Sequence, residues 1–240
     1  MEFFAQSDTG RVRKLNEDFC FASLKPIGGL NNLFVVCDGM GGHNAGEYAS
    51  SIAVAQMLSA ARKSTPGRPF EILGEGIREA NEAIYQRAMR EPDKAGMGTT
   101  LVAATIYGST LYVVNVGDSR LYVQNNTDFW QVTRDHSYVA EMVRKGLLDK
   151  REARFHRDRN KITRAVGVLA SVRPDYFDLE LSSGMQVLLC TDGLTGMLYD
   201  EEIFDIICHP SDTQHKVNAL IHQANERGGR DNITAILIEV

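Results

Sequence analysis

A chain of 240 residues, 43% hydrophobic and 24% charged, has the length and composition of one globular domain. Its formal net charge of −5 argues against general binding to nucleic acids or anionic membranes, because both require a basic face. The amino-terminal segment lacks the basic and then apolar order of a signal peptide, and no apolar run approaches the roughly twenty residues of a membrane span. We therefore expect a cytoplasmic protein without membrane insertion.

Strand and helix patterns alternate in blocks. Apolar, β-branched segments that end at Gly or Asp predict strands at about 2–7, 17–24, 32–37, 99–107, 110–117, 119–124, 175–181, 186–191 and 232–239. Apolar residues recurring at i, i+3, i+4 and i+7 predict helices over 45–61, 70–89 and 213–227. The segment near 137–155 has a further helical pattern and is interpreted as an insert.

Turn signals separate the three central strands of this series. Gly108-Ser109 and Gly117-Asp118 each predict an antiparallel hairpin. Helices grouped between blocks of strands favour an α+β layered fold with mostly antiparallel sheets. We expect a single domain over residues 1–240.

The polar stretch 149–160 mixes acidic residues with a set of basic ones: Lys150, Arg151, Arg154, Arg157 and Arg159. Mixed charge is typical of a solvated helix and loop. Loops beside a site often carry specificity, so the same residues could also bind an anionic substrate. Both interpretations stay open, and residues 137–165 are called the flap segment.

The four cysteines contain no Cys-x-x-Cys pair, which argues against a structural zinc site. Cys37 and Cys190 end apolar runs, where a reduced thiol acts as a small hydrophobe. We expect both to be buried and inert.

Two segments end a buried-strand pattern in Asp-Gly, at Asp38-Gly39 and at Asp192-Gly193. An Asp at a strand end is rigidly held at the rim of a sheet, and the Gly after it lets its carbonyl act as a further oxygen ligand. Asp-Gly is also an ordinary turn pair, so one such segment would be weak evidence.

Acidic residues mark three more predicted strand ends, at Glu17-Asp18, Asp118 and Asp231. Five clustered acidic sites would repel one another strongly unless they held cations. Ligands that are all oxygen select hard ions such as Mg²⁺ or Mn²⁺. The sequence therefore predicts a divalent-metal centre.

Seven motif blocks, in order along nearly the whole chain, resemble those of the protein phosphatase 2C family of metal-dependent serine/threonine phosphatases, in its compact bacterial form. They are Ser7-Asp8-x-Gly10-x-x-Arg13-x-x-Asn16-Glu17-Asp18, Asp38-Gly39-Met40-Gly41-Gly42-His43, Gly98-Thr99-Thr100, Val116-Gly117-Asp118-Ser119-Arg120, Thr133-x-Asp135-His136-Ser137, Thr191-Asp192-Gly193-Leu194 and Gly229-Arg230-Asp231-Asn232-Ile233-Thr234. The resemblance implies a four-layer α/β-sandwich, with a central pair of mostly antiparallel β-sheets flanked by helices.

The resemblance also implies two tightly bound Mn²⁺ or Mg²⁺ ions and a third, weaker one. Asp38 resembles the carboxylate that bridges both ions, and Gly39 the residue whose carbonyl binds one of them. Asp192 and Asp231 resemble ligands of the other ion. Asp118 matches the acid that holds the third ion together with Asp192.

Four further residues have implied roles in the reaction. Glu17 and Asp18 resemble residues that orient metal-bound water. Arg13 matches the phosphate-binding arginine, whose planar fork can grip two oxygens. His43 is the candidate general acid for the leaving alkoxide, although a lone His is more often structural. His136, beside Asp135, is expected to belong to a supporting hydrogen-bond network.

The implied function is hydrolysis of phosphoserine and phosphothreonine in proteins by a metal-activated water, reversing a serine/threonine kinase. Expected partners are phosphorylated proteins, including a cognate kinase, with the chain itself a monomer. A phosphatase of small molecules or of one regulatory protein is an open alternative. An inactive binding protein is disfavoured because no expected metal ligand is lost, and a kinase because no Walker motif or kinase catalytic loop is present.

Overall fold

The computed structural model describes residues 1–42, 45–125 and 127–240. Within them the strands are β1 (Glu2–Asp8), β2 (Asp18–Ser23), β3 (Leu33–Met40), β4 (Gly98–Thr99), β5 (Leu101–Tyr107), β6 (Thr110–Val116), β7 (Arg120–Gln124), β8 (Phe129–Gln131), β9 (Asp175–Glu180), β10 (Gln186–Cys190) and β11 (Ile233–Glu239). The α-helices are α1 (Ala45–Lys63), α2 (Pro69–Arg90), α3 (Tyr138–Arg144), α4 (Lys150–Ala153), α5 (Asp192–Thr195), α6 (Asp200–Ile207) and α7 (Thr213–Glu226).

The strands form two antiparallel sheets. The first sheet has the order β1-β11-β10-β7-β8, and the second has the order β2-β3-β5-β6-β9, with β4 paired to β3. The predicted hairpin at Gly108-Ser109 is confirmed, since β5 and β6 pair from Leu101↔Val116 to Tyr107↔Thr110.

Three apolar layers hold the sheets and helices together, and strand β10 shows how. Val187 and Leu189 enter the core between the two sheets, whereas Leu188 and Cys190 pack towards α5, α6 and α7. This follows from the period of two along a strand, because successive side chains point to opposite faces. On the second sheet Cys37 likewise faces α1 and α2. The result is the predicted helix–sheet–sheet–helix sandwich.

The predicted hairpin at Gly117-Asp118 is wrong. Strand β6 lies in the second sheet and β7 in the first, so the chain crosses between sheets at this point. Gly117 adopts a φ of 107°, and its backbone exchanges hydrogen bonds with His136 instead of a facing strand. Both strands are buried on both faces, so side-chain alternation could not show which sheet each joins.

The flap segment leaves and rejoins the sandwich at one place. Ser137 and Ile162 form a β-bridge, and the Tyr138 N–H donates to the Lys161 carbonyl oxygen at 2.8 Å. Between these anchors lie α3 and α4, so the predicted helical insert is two short helices. The three-residue strand β8 was not predicted from the sequence. Across the described ranges, no helix is long and apolar enough to cross a lipid bilayer.

Candidate active site

Acidic residues from both sheets meet at one end of the sandwich. Asp18 and Asp38 lie opposite each other on the paired strands β2 and β3. Asp18 Oδ2 accepts hydrogen bonds from Thr191 Oγ1 at 2.8 Å and Thr234 Oγ1 at 2.7 Å, both at strand ends of the first sheet. A carboxylate of the second sheet is thus fixed by two hydroxyls of the first.

Asp38 is held through its backbone. Its N–H donates to Thr100 Oγ1 at 2.9 Å, and its carbonyl oxygen accepts from the Thr100 N–H at 2.9 Å and from Thr99 Oγ1 at 2.8 Å. Thr100 Oγ1 also lies 2.7 Å from Ser119 Oγ, next to Asp118. The interruption between β4 and β5 at Thr100 therefore connects Asp38 to the crossover that carries Asp118.

Gly39 allows close packing beside Asp38. A side chain here would place its Cβ 2.1 Å from the Gly46 carbonyl oxygen and 2.6 Å from that of Glu17. The Gly39 N–H donates to the Glu17 carbonyl oxygen at 3.1 Å, and Ser50 Oγ donates to the same oxygen at 2.7 Å. Only glycine fits, and its backbone holds Glu17 at the edge of the acidic group.

The raised pKa values of the acidic residues reflect both their burial and their mutual repulsion. Burial raises the pKa of Asp38 and Asp118 well above the usual range, and neighbouring carboxylates raise both further. Burial, reinforced by nearby acids, raises the pKa of Asp18 to about 7 and also raises that of Asp192. Four carboxyl groups in mutual repulsion make this end of the sandwich a site for cations.

The donor set fits divalent cations that prefer oxygen. Asp18 Oδ1 is buried and has no hydrogen-bond partner among the described residues, which is the state of an oxygen that faces a cation or an ordered water. In that same part of the chain, no group of three His, Cys, Asp or Glu side chains is placed to hold a metal ion by itself. Mg²⁺-type ions suit such an arrangement, because they take one or two carboxylates and keep several waters.

Arg13 lies beside this group on the loop 9–17. Its Nη2 donates to Asp231 Oδ2 at 2.8 Å, and its side chain is 48% exposed. Asn232 fixes the loop: its Oδ1 accepts from the Glu17 N–H at 2.8 Å, and its Nδ2 donates to the carbonyl oxygens of Thr9 at 3.0 Å and Leu15 at 2.9 Å. The guanidinium thus faces solvent at the rim of the acidic group.

A half-buried ion pair between Arg120 and Asp135 supports the Asp118 crossover. Arg120 donates to Asp135 through Nε at 3.0 Å and Nη2 at 2.7 Å, and to Tyr122 Oη through Nη1 at 2.8 Å. Tyr122 Oη in turn donates to Asp200 Oδ1 at 3.1 Å, and Lys150 of the flap segment donates to Asp200 Oδ2 at 3.0 Å. The flap segment and the acidic site therefore share one network.

His136 belongs to the supporting network, as expected. The Gly117 N–H donates to its Nδ1 at 3.0 Å, and its Nε2 lies 3.3 Å from Asp175 Oδ2 and 2.9 Å from Arg164 Nη1. Burial lowers the pKa of His136, which favours the neutral imidazole. Cys37 and Cys190 are buried with raised pKa, because burial disfavours the thiolate, and they do not act as nucleophiles.

A cavity of about 500 Å³ opens beside Asp192 and Asp231. Four arginines also line this cavity, two from the flap segment and two from the segment before β11: Arg154, Arg159, Arg227 and Arg230. Of the two interpretations of the polar stretch, the placement beside the acidic site favours the one that involves an anionic substrate.

The structure brings together Asp18, Asp38, Asp118 and Asp192 with Asp231, Glu17 and Arg13 at their rim. The predicted catalytic residue His43 lies outside the described residues. The sequence reasoning did not single out the hydroxyl and amide groups that hold these acids: Thr100, Ser119, Thr191, Asn232 and Thr234. All of them stand inside the seven motif blocks, and three of them, Ser119, Thr191 and Asn232, adjoin an acid, which was the available signal.

Comparison with known proteins gives matches along nearly the whole chain. The family model described as Protein phosphatase 2C matches residues 4–233. The serine/threonine phosphatase stp of Listeria welshimeri is 41% identical over 243 residues, covering 98% of this chain and 94% of that protein. Stp1 of Staphylococcus aureus superposes with a TM-score of 0.93 at 33% identity, covering 100% of this chain and 94% of that chain. The catalytic domain of the phosphatase PstP, solved with 2 manganese ions, gives a TM-score of 0.89 at 33% identity, covering 99% and 97%.

Proposed function

The chain belongs to the protein phosphatase 2C family, and on that premise we propose how its own residues hydrolyse phosphoproteins. It is a metal-dependent serine/threonine protein phosphatase that uses Mn²⁺ or Mg²⁺. The observation that supports the assignment of the site is the convergence of Asp18, Asp38, Asp118 and Asp192, from both sheets, in mutual electrostatic contact.

Four residues are proposed to hold the two tightly bound ions: Asp38 as the shared carboxylate, Gly39 through its carbonyl oxygen, and Asp192 with Asp231. Two divalent cations at such a site supply water of lowered pKa and neutralise charge on the phosphoryl oxygens. Asp118 would hold a third, weaker ion together with Asp192.

Glu17 and Asp18 act on water at this site. The unpartnered Oδ1 of Asp18 is free to accept a hydrogen bond from water, while Oδ2 is fixed by two threonine hydroxyls. Burial raises the pKa of Glu17, partly offset by Arg13. Both carboxyl groups are rigidly placed, so they can orient a water without rearranging during the reaction.

Arg13 binds the phosphate. Its half-exposed guanidinium lies at the rim of the acidic group and presents two parallel N–H groups that suit two phosphate oxygens. His43 donates a proton to the departing serine or threonine alkoxide. It follows Asp38 by five positions along the chain, which supports this role.

Phosphorylated proteins are the substrates, and we propose that a cognate serine/threonine kinase is among them. Because protein kinases draw on cytoplasmic ATP, we also propose a cytoplasmic location, and a monomer. Co-purification and size-exclusion chromatography with light scattering test these points; a stable dimer would contradict the last.

The test of the function is hydrolysis of phosphothreonine and phosphotyrosine peptides with Mn²⁺, and with Mn²⁺ removed by a chelator. We expect phosphothreonine hydrolysis that vanishes in chelator and returns with Mn²⁺ or Mg²⁺ but not with Ca²⁺, whose coordination is looser. Asp38→Asn should be inactive, while Asp178→Asn, an exposed acid on β9, should match the unsubstituted enzyme. Activity that persists in excess chelator would refute the metal-dependent reaction.

A further inference from the structure

The four arginines that line the cavity differ in whether a carboxylate of the chain pairs with them. Arg227 is neutralised by an ion pair with Glu202. In the part of the chain that the structure describes, no carboxylate forms an ion pair with Arg159 or Arg230. Both side chains line the cavity and belong to exposed residues, so both are available to a ligand.

Arg154 is fixed in place and keeps its charge. It donates from Nη1 to the Leu198 carbonyl oxygen at 3.0 Å and from Nη2 to that of Gly196 at 3.2 Å, and its guanidinium carbon lies 4.1 Å from the centroid of the Tyr199 ring. These partners satisfy its hydrogen bonds without a negative charge. Arg154 thus anchors the flap segment beside the acidic site and keeps a fixed positive charge there.

Because the whole chain carries a net charge of −5, the positive surface that these arginines form is a local feature and not a general one. A local positive surface beside a phosphate-hydrolysing centre attracts a second anionic group on the same substrate. Since Asp192 and Asp231 line the same cavity, the second group would lie close to the phosphate under attack.

We infer, on the basis of the proposed function, that this cavity binds a second anionic side chain of the substrate, a carboxylate or another phosphorylated residue. A volume of about 500 Å³ corresponds to a width of about 10 Å if the cavity is roughly spherical. An extended peptide advances about 3.3–3.6 Å per residue. The second anion is therefore two or three positions from the phosphoserine or phosphothreonine.

The experiment compares three families of phosphothreonine peptide on the Mn²⁺-loaded enzyme. The first family has neutral residues around the phosphothreonine. The second has Glu two or three positions before or after the phosphothreonine. The third has, at those same positions, a phosphonate analogue of a phosphorylated residue, which cannot be hydrolysed. The measured quantity is kcat/KM for each peptide relative to the neutral one, at low and high salt. Arg159→Gln and Arg230→Gln each remove one of the two arginine charges that are available to a ligand. Arg157→Gln is the matched control, because Arg157 lies on the same segment, is 90% exposed and does not line the cavity.

We expect kcat/KM to rise about threefold with Glu and roughly tenfold with the phosphonate, as for charge-assisted contacts at a partly exposed site. The advantage should shrink in each arginine variant, persist in Arg157→Gln, and weaken as salt rises. A response to the phosphonate alone would identify a phosphorylated residue as the second anion. Equal kcat/KM for all three peptides, or an advantage that survives both arginine variants, would overturn the inference while leaving the phosphatase function intact. Failure to hydrolyse any peptide would overturn both.

Discussion

Asn232 offers the sharpest test of how the site is assembled. Its side chain makes three hydrogen bonds to the loop 9–17, which carries Arg13 and Glu17, and it is only 4% exposed. Asn232→Ala removes all three bonds without touching a proposed metal ligand or the phosphate-binding group. The loop should then lose its fixed position relative to β11.

The expected loss of stability follows from the number of bonds. A hydrogen bond contributes a net of about 1 kcal/mol, and a buried group left unpaired costs about 1–3 kcal/mol. Residues 11–15 are exposed, so water can reach part of the loop, and we expect a loss of about 2–3 kcal/mol. For a chain of this size, that lowers Tm by about 5–10 °C.

The expected effect on catalysis is larger than the effect on stability. Small misplacements of positioning groups can cost about 10²-fold in rate, so kcat/KM for a phosphothreonine peptide should fall by roughly that factor at a temperature where the variant is folded. Circular dichroism gives the melting transition, calorimetry gives Mn²⁺ binding, and steady-state kinetics give kcat/KM.

Asn32 is the matched control for Asn232. It is 3% exposed, and it bonds the Ile106 backbone through Nδ2 at 3.0 Å and Oδ1 at 2.7 Å, just before β3 begins and at the opposite end of that strand from Asp38. Asn32→Ala should destabilise the fold by a similar amount and leave kcat/KM unchanged. If Asn232→Ala melts earlier but keeps kcat/KM, the loop does not depend on this amide for its catalytic position. If Asn32→Ala loses as much activity, the effect is global.

Four further predictions address single groups. Asp118→Ala should keep the two tightly bound Mn²⁺ ions but lower turnover, whereas Asp38→Asn should lose tight binding; calorimetric loss of the tight sites in Asp118→Ala would contradict the assignment. Arg13→Lys keeps the charge but loses the fork, so KM for phosphopeptide should rise with the metals still bound, and an unchanged KM would make Arg13 structural. His43→Ala should slow phosphothreonine hydrolysis by about 10²–10⁴-fold and nitrophenyl phosphate hydrolysis much less, because nitrophenolate leaves without a proton; equal losses would remove His43 from catalysis. In the presence of a chelator, the free energy of unfolding should fall by on the order of a few kcal/mol as the pH rises from about 4 through 7. The cause is Asp18, because burial raises its pKa to about 7 and folding then opposes its ionisation. If the free energy of unfolding of Asp18→Asn keeps the full pH dependence, Asp18 is not the cause.

The sequence was most informative for features that a local pattern of residues defines. Asp38 and Asp192 were found from apolar runs that stop at Asp-Gly, and both lie in the acidic site, although β3 continues past Asp38 to Met40 and Asp192 begins α5. The long helices α1 and α2 followed from their apolar period and begin and end within two residues of the prediction. These features depend on local pattern, which the sequence displays directly.

The sequence was least informative where a contact joins distant segments. Gly117-Asp118 fits a hairpin and a sheet crossover equally well, and the two are distinguished by strand pairing, which places β6 and β7 in different sheets, and by the hydrogen bonds between Gly117 and His136. Strand β8 has three residues and, among the described strands, pairs with β7 alone, so no periodicity marks it. A short strand at a sheet edge is defined by its partner and not by its own composition.

For the flap segment, the sequence could not decide between a solvated loop and a loop that binds an anionic substrate. Arg154, Arg157 and Arg159 are alike in charge and lie within six positions of one another, so composition cannot tell them apart. The structure separates them: Arg154 is tied to the carbonyl oxygens of Gly196 and Leu198, Arg159 lines the cavity, and Arg157 faces solvent. The hydrogen bonds of Arg154 hold the flap segment against the turn at 196–198, which directly follows α5, the helix that begins at Asp192. Arg159 therefore lines the same cavity as Asp192. The substrate selection that we propose for this segment therefore depends on the long-range contact at Arg154, and not on the number of arginines in the segment.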